Sequence, residues 1–310
     1  MSQIVDFSFT LNKVNSTYNA GETIKYKIIA TVHKSFKARQ LTVRFKGSAH
    51  VEWKSGKNSR YRDLEVFFKD VTVLWTSVTG SEEINPGTYE YTGTFCLPDN
   101  IPTSYKHEVG YIEYNIKANY DVPFGKDLFG KHEFYVQNYL KLKDYSSHRE
   151  PSNNVVEERF SFCGLFKSEP LKIVVFLPKT IWIAGETIPI KLEVSNNSDV
   201  VVKKIKVKLV ESIEFTGKGY CLDTNHKHEN NTMFKREFET GLSPLQNKAF
   251  EASFTLDKFY SYINSADCRI IECSYQIDAI AIVKGCRPNV LNRTKIYITK
   301  VPDSDMAEIE

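Results

Sequence analysis

The chain has 310 residues, 25% of them charged, and a formal net charge of only +3 at pH 7. This near balance argues against a nucleic-acid binder that depends mainly on phosphate contacts. No segment approaches the roughly 18 consecutive apolar residues that a transmembrane helix needs, so we expect a chain that does not span a bilayer.

The residue types favour strands over helices. The chain contains seventeen Tyr and twenty Phe but only three Met, and aromatic residues are enriched in β-sheets. Residues 1–14 alternate between polar and apolar side chains and lack the apolar run of an export signal. We therefore expect an all-β protein of the cytoplasm.

The tetrapeptide Ala-Gly-Glu-Thr at residues 20–23 returns at residues 184–187, an offset of 164 (184 − 20). At this same offset, the alternating apolar residues of 24–30 fall on those of 188–194. A period of two marks a strand with one buried face, and a slip of one residue would turn every buried side chain to solvent. The repeat therefore predicts two similar domains in tandem.

Short alternating runs separated by turn residues favour two packed antiparallel sheets in each half. The predicted fold class is all-β, with two tandem immunoglobulin-like antiparallel β-sandwich domains. The predicted boundaries place the first domain at 1–143 and the second at 170–301. Residues 144–169 are predicted to be a linker that holds a possible first strand of the second domain around 160–166. Residues 302–310 form an acidic tail.

An apolar cluster near the end of the first predicted domain contains Phe124, Leu128 and Phe129, around Gly125 and Gly130. Such residues could form a protruding tip that touches a membrane or a partner. Large apolar side chains more often close the core beneath a strand. We therefore expect these three residues to be buried.

A lysine stripe at Lys204, Lys206 and Lys208 alternates with apolar residues, and Lys203 adjoins it. If this segment is a strand, the alternating lysines project from one face and could meet lipid headgroups or a phosphorylated cytoplasmic tail. Lysines also keep exposed sheet faces soluble and protect edges from pairing. The four lysines are nevertheless the best candidates for a partner or membrane contact.

No arrangement of residues predicts catalysis or metal binding. The chain lacks a Gly-x-Ser-x-Gly elbow, and the adjacent glutamates at 82–83 and 157–158 would point to opposite faces of a strand. The spacing of Cys221, His226 and His228 fits no usual zinc site. The six cysteines contain no Cys-x-x-Cys pair and are expected to be free thiols. We expect a protein that is not an enzyme and has no cofactor.

Several motifs, taken in order, resemble the arrestin family. Residues 18–22 and 41–53 resemble the opening of the amino-terminal arrestin domain, and residues 170–198 resemble that of the carboxy-terminal domain. The segments that fit the close of the first domain in arrestin-domain-containing proteins (α-arrestins) are 86–89, 95–98, 111–114 and 121–124. The likeness covers about residues 5 to 300.

This resemblance implies a non-enzymatic trafficking adaptor. Such a protein binds membrane receptors or transporters, supports their endocytosis, sorting or ubiquitination, and is recruited from the cytoplasm to the plasma membrane or endosomes. Many α-arrestins recruit ubiquitin ligases through Pro-Pro-x-Tyr motifs, but this sequence has no Pro-Pro. Visual and β-arrestins have adjacent lysines on their first strand, whereas Lys13 stands alone here, so no phosphate-sensing residue is transferred to this chain.

Two alternatives remain open on the sequence. The first is a retromer-type cargo-sorting subunit, which shares the two-lobed architecture and would copurify stably with other coat subunits. The second is a carrier that holds an apolar ligand inside one sandwich, which extraction of bound lipid from the purified protein would reveal.

Overall fold

The structure, a computed structural model, describes residues 4–56, 59–140, 142–162, 166–220, 223–265 and 268–300. The described chain is mainly β-strand. None of the helical segments in these ranges is both long enough and apolar enough to cross a membrane.

Strands follow one another along the chain with short connections. The first are β1 Val5–Leu11, β2 Thr17–Asn19, β3 Thr23–Val32, β4 Phe36–Ala38, β5 Gln40–Ser55, β6 Ser59–Thr76, β7 Glu82–Ile84, β8 Gly87–Cys96, β9 Tyr105–Lys106, β10 Gly110–Asp121 and β11 Leu128–Gln137. After a 3₁₀-helix at Leu142–Arg149 come β12 Ser152–Glu158, β13 Ser161–Phe162, β14 Phe166–Lys167, β15 Leu171–Leu177, β16 Ile181–Ile183, β17 Thr187–Asn196, β18 Val202–Lys218, β19 Thr224–Leu242, β20 Gln246–Thr255, β21 Ile271–Val283 and β22 Val290–Thr299.

The chain divides into two compact units. Unit 1 contains the residues up to Asn138, together with Glu214–Lys227 and Ile263–Glu272. Unit 2 contains Tyr139–Ile213, His228–Tyr262 and the residues from Cys273 onward. Each unit therefore draws on more than one stretch of the sequence.

Unit 1 is a sandwich of two sheets. One sheet has the strand order β1-β3-β8, and the other has the order β6-β5-β10-β11-β2, with β9 beside β10. The alternating apolar residues predicted for β3 and β5 face inward, and Phe45 of β5 stacks on Phe95 of β8 with ring centroids 4.2 Å apart. These pairs are antiparallel apart from β2, which runs parallel to β11.

Unit 2 repeats this plan. One sheet has the order β12-β15-β17-β20, and the strands β16, β22, β21, β18 and β19 form the other face. The predicted inward residues of β17 and β18 are buried, and Phe234 stacks on Phe254 at 5.7 Å. The short strand β16 runs parallel to β22, as β2 does to β11. The predicted fold class, two β-sandwiches in tandem, is confirmed.

The repeated Ala-Gly-Glu-Thr motif forms the same turn in both units. Gly21 and Gly185 have φ angles of +80° and +97°, in the left-handed region that glycine enters without a steric cost. The Gly21 amide donates to the Pro98 carbonyl at 3.1 Å, and the Gly185 amide donates to that of Leu256 at 3.1 Å. Each motif thus ties the start of one strand to the loop that follows its neighbour.

The glutamate of each motif closes its turn. Glu22 accepts a hydrogen bond from the Asn19 amide at 2.9 Å and pairs with Lys13 at 2.7 Å. Glu186 accepts one from the Ile183 amide at 2.8 Å and pairs with Lys179 at 2.7 Å. Each lysine also lies over an aromatic ring of its unit, at 5.2 Å for Tyr18 and 4.7 Å for Trp182.

Unit 1 is completed by residues from the second half of the chain. Phe215 is fully buried and stacks on His107 with ring centroids 5.3 Å apart. The buried Glu65 carboxylate accepts two hydrogen bonds from Arg269, one from its amide and one from Nε, both at 2.8 Å. The core of unit 1 therefore depends on the segments Glu214–Lys227 and Ile263–Glu272.

The structure corrects the interpretation of residues 144–169. The strand that joins the sheet of unit 2 is β12, which pairs antiparallel with β15, whereas the region predicted for that strand, 160–166, holds the short pair β13 and β14. Weak strand-forming residues conceal β12 in the sequence. One of them, Asn154, donates from Nδ2 to the Arg293 carbonyl at 2.8 Å. Residues 163–165 and the predicted acidic tail at 302–310 lie outside the described residues.

Replacing Glu186 with Ala should lower the free energy of unfolding of unit 2 by about 1–2 kcal/mol, because the Ile183 amide loses its acceptor. Chemical denaturation followed at Trp182 by fluorine-19 NMR of labelled tryptophan measures this. The matched control is Glu193→Ala on the exposed face of β17, expected to cost less than about 0.5 kcal/mol. Equal losses in the two variants would contradict the role of the turn.

Replacing Phe215 with Ala should destabilise unit 1 by about 3–5 kcal/mol, because a fully buried aromatic ring leaves a cavity. The measurement is the same denaturation read at Trp53 and Trp75, which belong to unit 1. Phe259→Ala, at a site that is 89% exposed, is the control. Unchanged unfolding at Trp53 in the Phe215 variant would show that unit 1 does not need the later segment.

Candidate partner-binding face

The lysine stripe lies on β18 in unit 2, as the alternation predicts. Ile205 and the two alternate residues after it are buried, whereas the side chains of Lys204 and Lys206 are 27% and 29% exposed on the opposite face. Lys208 is half-buried and Lys203 is exposed. Three of the four candidate lysines therefore share one face of the strand.

Carboxylates from the neighbouring strand β19 neutralise the middle of this stripe. Lys204 Nζ lies 2.8 Å from a Glu237 oxygen and 2.7 Å from a Glu239 oxygen. Lys206 Nζ lies 3.5 Å from the other oxygen of Glu237, which also pairs with Lys235. The stripe is therefore a mixed-charge cluster and not an uninterrupted line of cations.

These contacts shift the ionisation of both partners. Hydrogen bonds from Lys204 and then from Lys235 hold the pKa of Glu237 down to about 2. Hydrogen bonds to Glu237 and then to Glu239 raise the pKa of Lys204 above its ordinary value. Both groups therefore stay charged across the physiological range of pH.

Uncompensated charge remains at the two ends of the stripe. Neither Lys203 nor Lys208 has an ion pair with any of the described residues. The side chain of Glu239 is 75% exposed. We call Lys204, Lys206, Lys208 and the paired glutamates of β19, together with the adjoining Lys203, the β18 face. Its role in binding a partner or a membrane stays a prediction.

The prediction that Phe124, Leu128 and Phe129 close the core is wrong. Phe124 is fully exposed and Phe129 is 60% exposed, while Leu128 is half-buried. These residues belong to the hairpin that joins β10 to β11, and the inward positions of those strands are filled by Tyr120 and Phe134. Because Tyr120 and Phe134 fill the core at this end of the sheet, Phe124 and Phe129 face solvent.

The described residues contain no group of three or more His, Cys, Asp and Glu that could hold a metal ion. Cys96, Cys268 and Cys286 are free thiols, whereas Cys163 and Cys221 lie outside the described residues. Burial raises the pKa of the Cys268 thiol to about 11. Because the thiolate is the reactive form, Cys268 is a weak nucleophile at neutral pH.

Two family models match the chain in order. The model for the arrestin (or S-antigen) N-terminal domain matches residues 7–143. The model for the arrestin (or S-antigen) C-terminal domain matches residues 167–302. Together they cover most of the sequence.

Individual relatives resemble the chain at low identity. Arrestin domain-containing protein 17 of Caenorhabditis elegans is 24% identical over 75% of this chain and 57% of its own length. Arrestin domain-containing protein 1 of Rattus norvegicus is 20% identical over 72% of this chain and 50% of its own length. Arrestin domain-containing protein 5 of Homo sapiens is 19% identical over 84% of this chain and 78% of its own length. The chain thus spans about half the length of the first two relatives.

The sequence indicated the stripe but missed its counter-charges. Lys204 and Glu237 are 33 residues apart, and no local pattern relates them. The available sequence signal was the pair of glutamates at alternate positions 237 and 239, whose charge is opposite to that of the lysines. It becomes informative only when β18 and β19 are known to pair.

We expect the Lys204→Gln substitution to raise the pKa of Glu237 from about 2 toward its ordinary value, because the largest of the contacts that lower it is removed. The depressed folded-state pKa stabilises the fold above the unfolded pKa, and this contribution is lost as pH falls toward 2. Carbon-13 NMR of the Glu237 carboxyl measures the shift. Lys191→Gln, on β17, is the control and should leave that pKa unchanged.

Proposed function

This chain belongs to the arrestin domain-containing family, and on that basis we propose that it is a non-catalytic trafficking adaptor. It binds membrane receptors or transporters and supports their endocytosis, sorting or ubiquitination. The observation that carries the proposal is the match of both arrestin domains, in order, over residues 7–143 and 167–302.

The β18 face supports this role as a contact surface for cargo or sorting machinery. Two lysines without ion pairs, the exposed Lys203 and the half-buried Lys208, flank a paired centre, and Glu239 adds an exposed carboxylate. Complementary charges across an interface raise the rate of association and exclude wrong partners more than they raise affinity. A surface of mixed charge therefore favours a protein partner with a matching pattern.

The adaptor is proposed to act from the cytoplasm, with recruitment to the plasma membrane or endosomes. A link to ubiquitin ligases through Pro-Pro-x-Tyr is not supported, since the given sequence contains no Pro-Pro.

Proximity labelling in cells tests the proposal, with the double variant Lys203→Glu and Lys208→Glu compared with wild type. These two lysines are chosen because their reversal leaves the Lys204–Glu237 pair intact. We expect wild type to label receptors or transporters of the plasma membrane or endosomes. Labelling by the variant should fall by a factor of about five or more. The control Lys258→Glu with Lys284→Glu changes the net charge equally at exposed sites of unit 2.

The possible results separate the two parts of the proposal. If the Lys203→Glu, Lys208→Glu variant labels membrane cargo as strongly as wild type does, the adaptor role stands. The β18 lysines would then serve only to keep the surface soluble. Wild type that enriches no membrane cargo would overturn the adaptor role itself.

A further inference from the structure

The hairpin that joins β10 to β11 is held in a defined shape. Asp127 accepts a hydrogen bond from the Val122 amide at 3.2 Å and another from Asn119 Nδ2 at 3.0 Å. The Gly125 amide donates to the Val122 carbonyl at 3.3 Å. The hydrogen bond from Asn119 holds the pKa of Asp127 below its ordinary value, so this carboxylate stays ionised and in place.

The hairpin presents an aromatic side chain to solvent. Phe124 has a φ of +55°, in the left-handed region that residues other than glycine seldom adopt. Its side chain is fully exposed, and the nearby Phe129 ring is 60% exposed. Exposed apolar side chains that form a contiguous patch mark interaction sites with proteins or membranes.

Cations face one another on the adjacent outer face of this sheet. In the strand register Arg44 lies opposite Lys117, and Lys117 lies opposite Lys131. On the next strand pair, Lys46 lies opposite Lys69. Like charges placed directly opposite each other destabilise a sheet, so this arrangement is costly in the unbound protein.

Most of these cations have no ion pair among the described residues. Lys131 pairs with Glu113 and Glu133. Arg44, Lys46, Lys69 and Lys117 make no ion pair within the parts of the chain that the structure describes. The Arg44 Nε is buried without a hydrogen-bond partner. Lys117 Nζ instead lies 3.8 Å from the centroid of the Phe129 ring.

The two features adjoin each other. Phe129 lies opposite Asn119 on the neighbouring strand. This pair is two residues along the strands from the row formed by Arg44, Lys117 and Lys131. Val71 and Val73 of β6, which lie opposite Arg44 and Thr42, are each about half exposed. We call Arg44, Lys46, Lys69, Lys117, Phe124 and Phe129 the basic corner.

We propose that the basic corner docks on an anionic lipid bilayer. The rings of Phe124 and Phe129 enter the interface between headgroups and acyl chains, while the four cations lie against lipid phosphates and carboxylates. Stable peripheral binding takes two signals, and an apolar anchor beside a basic patch supplies both. A soluble phosphopeptide would use the cations but would have no need for a ring that projects beyond the sheet.

This inference goes beyond the adaptor proposal, because it concerns the bilayer itself and requires no cargo. It also assigns membrane contact to unit 1 and not to the lysine stripe of β18.

Flotation with vesicles of pure phosphatidylcholine, or of phosphatidylcholine with about 30% phosphatidylserine, tests it on the purified full chain. We expect wild type to bind the anionic vesicles at least about tenfold more strongly, and the difference to shrink between about 0.1 and 0.5 M salt. Phe124→Ala should weaken binding roughly tenfold, because the variant lacks the aromatic ring whose transfer from water into the bilayer favours binding. Phe259→Ala removes a similarly exposed ring in unit 2 and should leave the binding unchanged.

Charge is tested separately. Lys69→Gln with Lys117→Gln should weaken binding to anionic vesicles about tenfold or more, whereas Lys258→Gln with Lys284→Gln should not. Phe124→Trp should keep the binding and add a tryptophan emission that shifts to shorter wavelength with anionic vesicles. Phe259→Trp should show no such shift. These substitutions lie at half-buried or exposed side chains, and circular dichroism checks that each variant is folded.

Three results would overturn the inference. The first is a wild type that does not bind anionic vesicles. The second is binding that Phe124→Ala leaves unchanged, with no spectral shift in Phe124→Trp. The third is binding of a soluble phosphopeptide to the same lysines without any binding to vesicles, which would make the corner a phosphopeptide site.

Discussion

The turn made by the repeated Ala-Gly-Glu motif is the constraint on which both units depend. A left-handed glycine brings the chain into the first central strand, and its amide bonds to the loop that follows the neighbouring strand. The next residue, Glu22 or Glu186, then binds a turn amide and a lysine. This turn fixes where β3 and β17 begin, and so which of their side chains face the core.

Electrostatics distinguish two surfaces that look alike in composition. On the β18 face, glutamates of β19 neutralise Lys204 and Lys206. On the basic corner, cations meet other cations across the strands, and Arg44 keeps an unsatisfied Nε. A net charge of +3 therefore conceals an uneven distribution. The surface that retains its charge is the better candidate for an anionic ligand, because binding relieves repulsion instead of breaking existing ion pairs.

The organisation of unit 1 also has consequences for function. A buried ring, Phe215, and a charge-assisted contact between Glu65 and Arg269 join segments that are remote in the sequence. Unit 1 carries the basic corner, so the stability of that surface depends on residues from both halves of the chain. Substitutions in Glu214–Lys227 can therefore affect binding at a distance by loosening unit 1.

The sequence by itself determined the strand phase, the duplication and the family, because alternation of side chains and a repeated turn are local properties. Every second residue of 24–30 and of 188–194 is buried, as the period of two predicts. Only the tertiary structure decided that Glu237 neutralises the lysine stripe and that Phe124 stands in solvent. It also showed β12 as a strand in spite of its polar residues. These outcomes depend on which strands pair and on which side chains have already filled the core, and neither is encoded in any short stretch of residues.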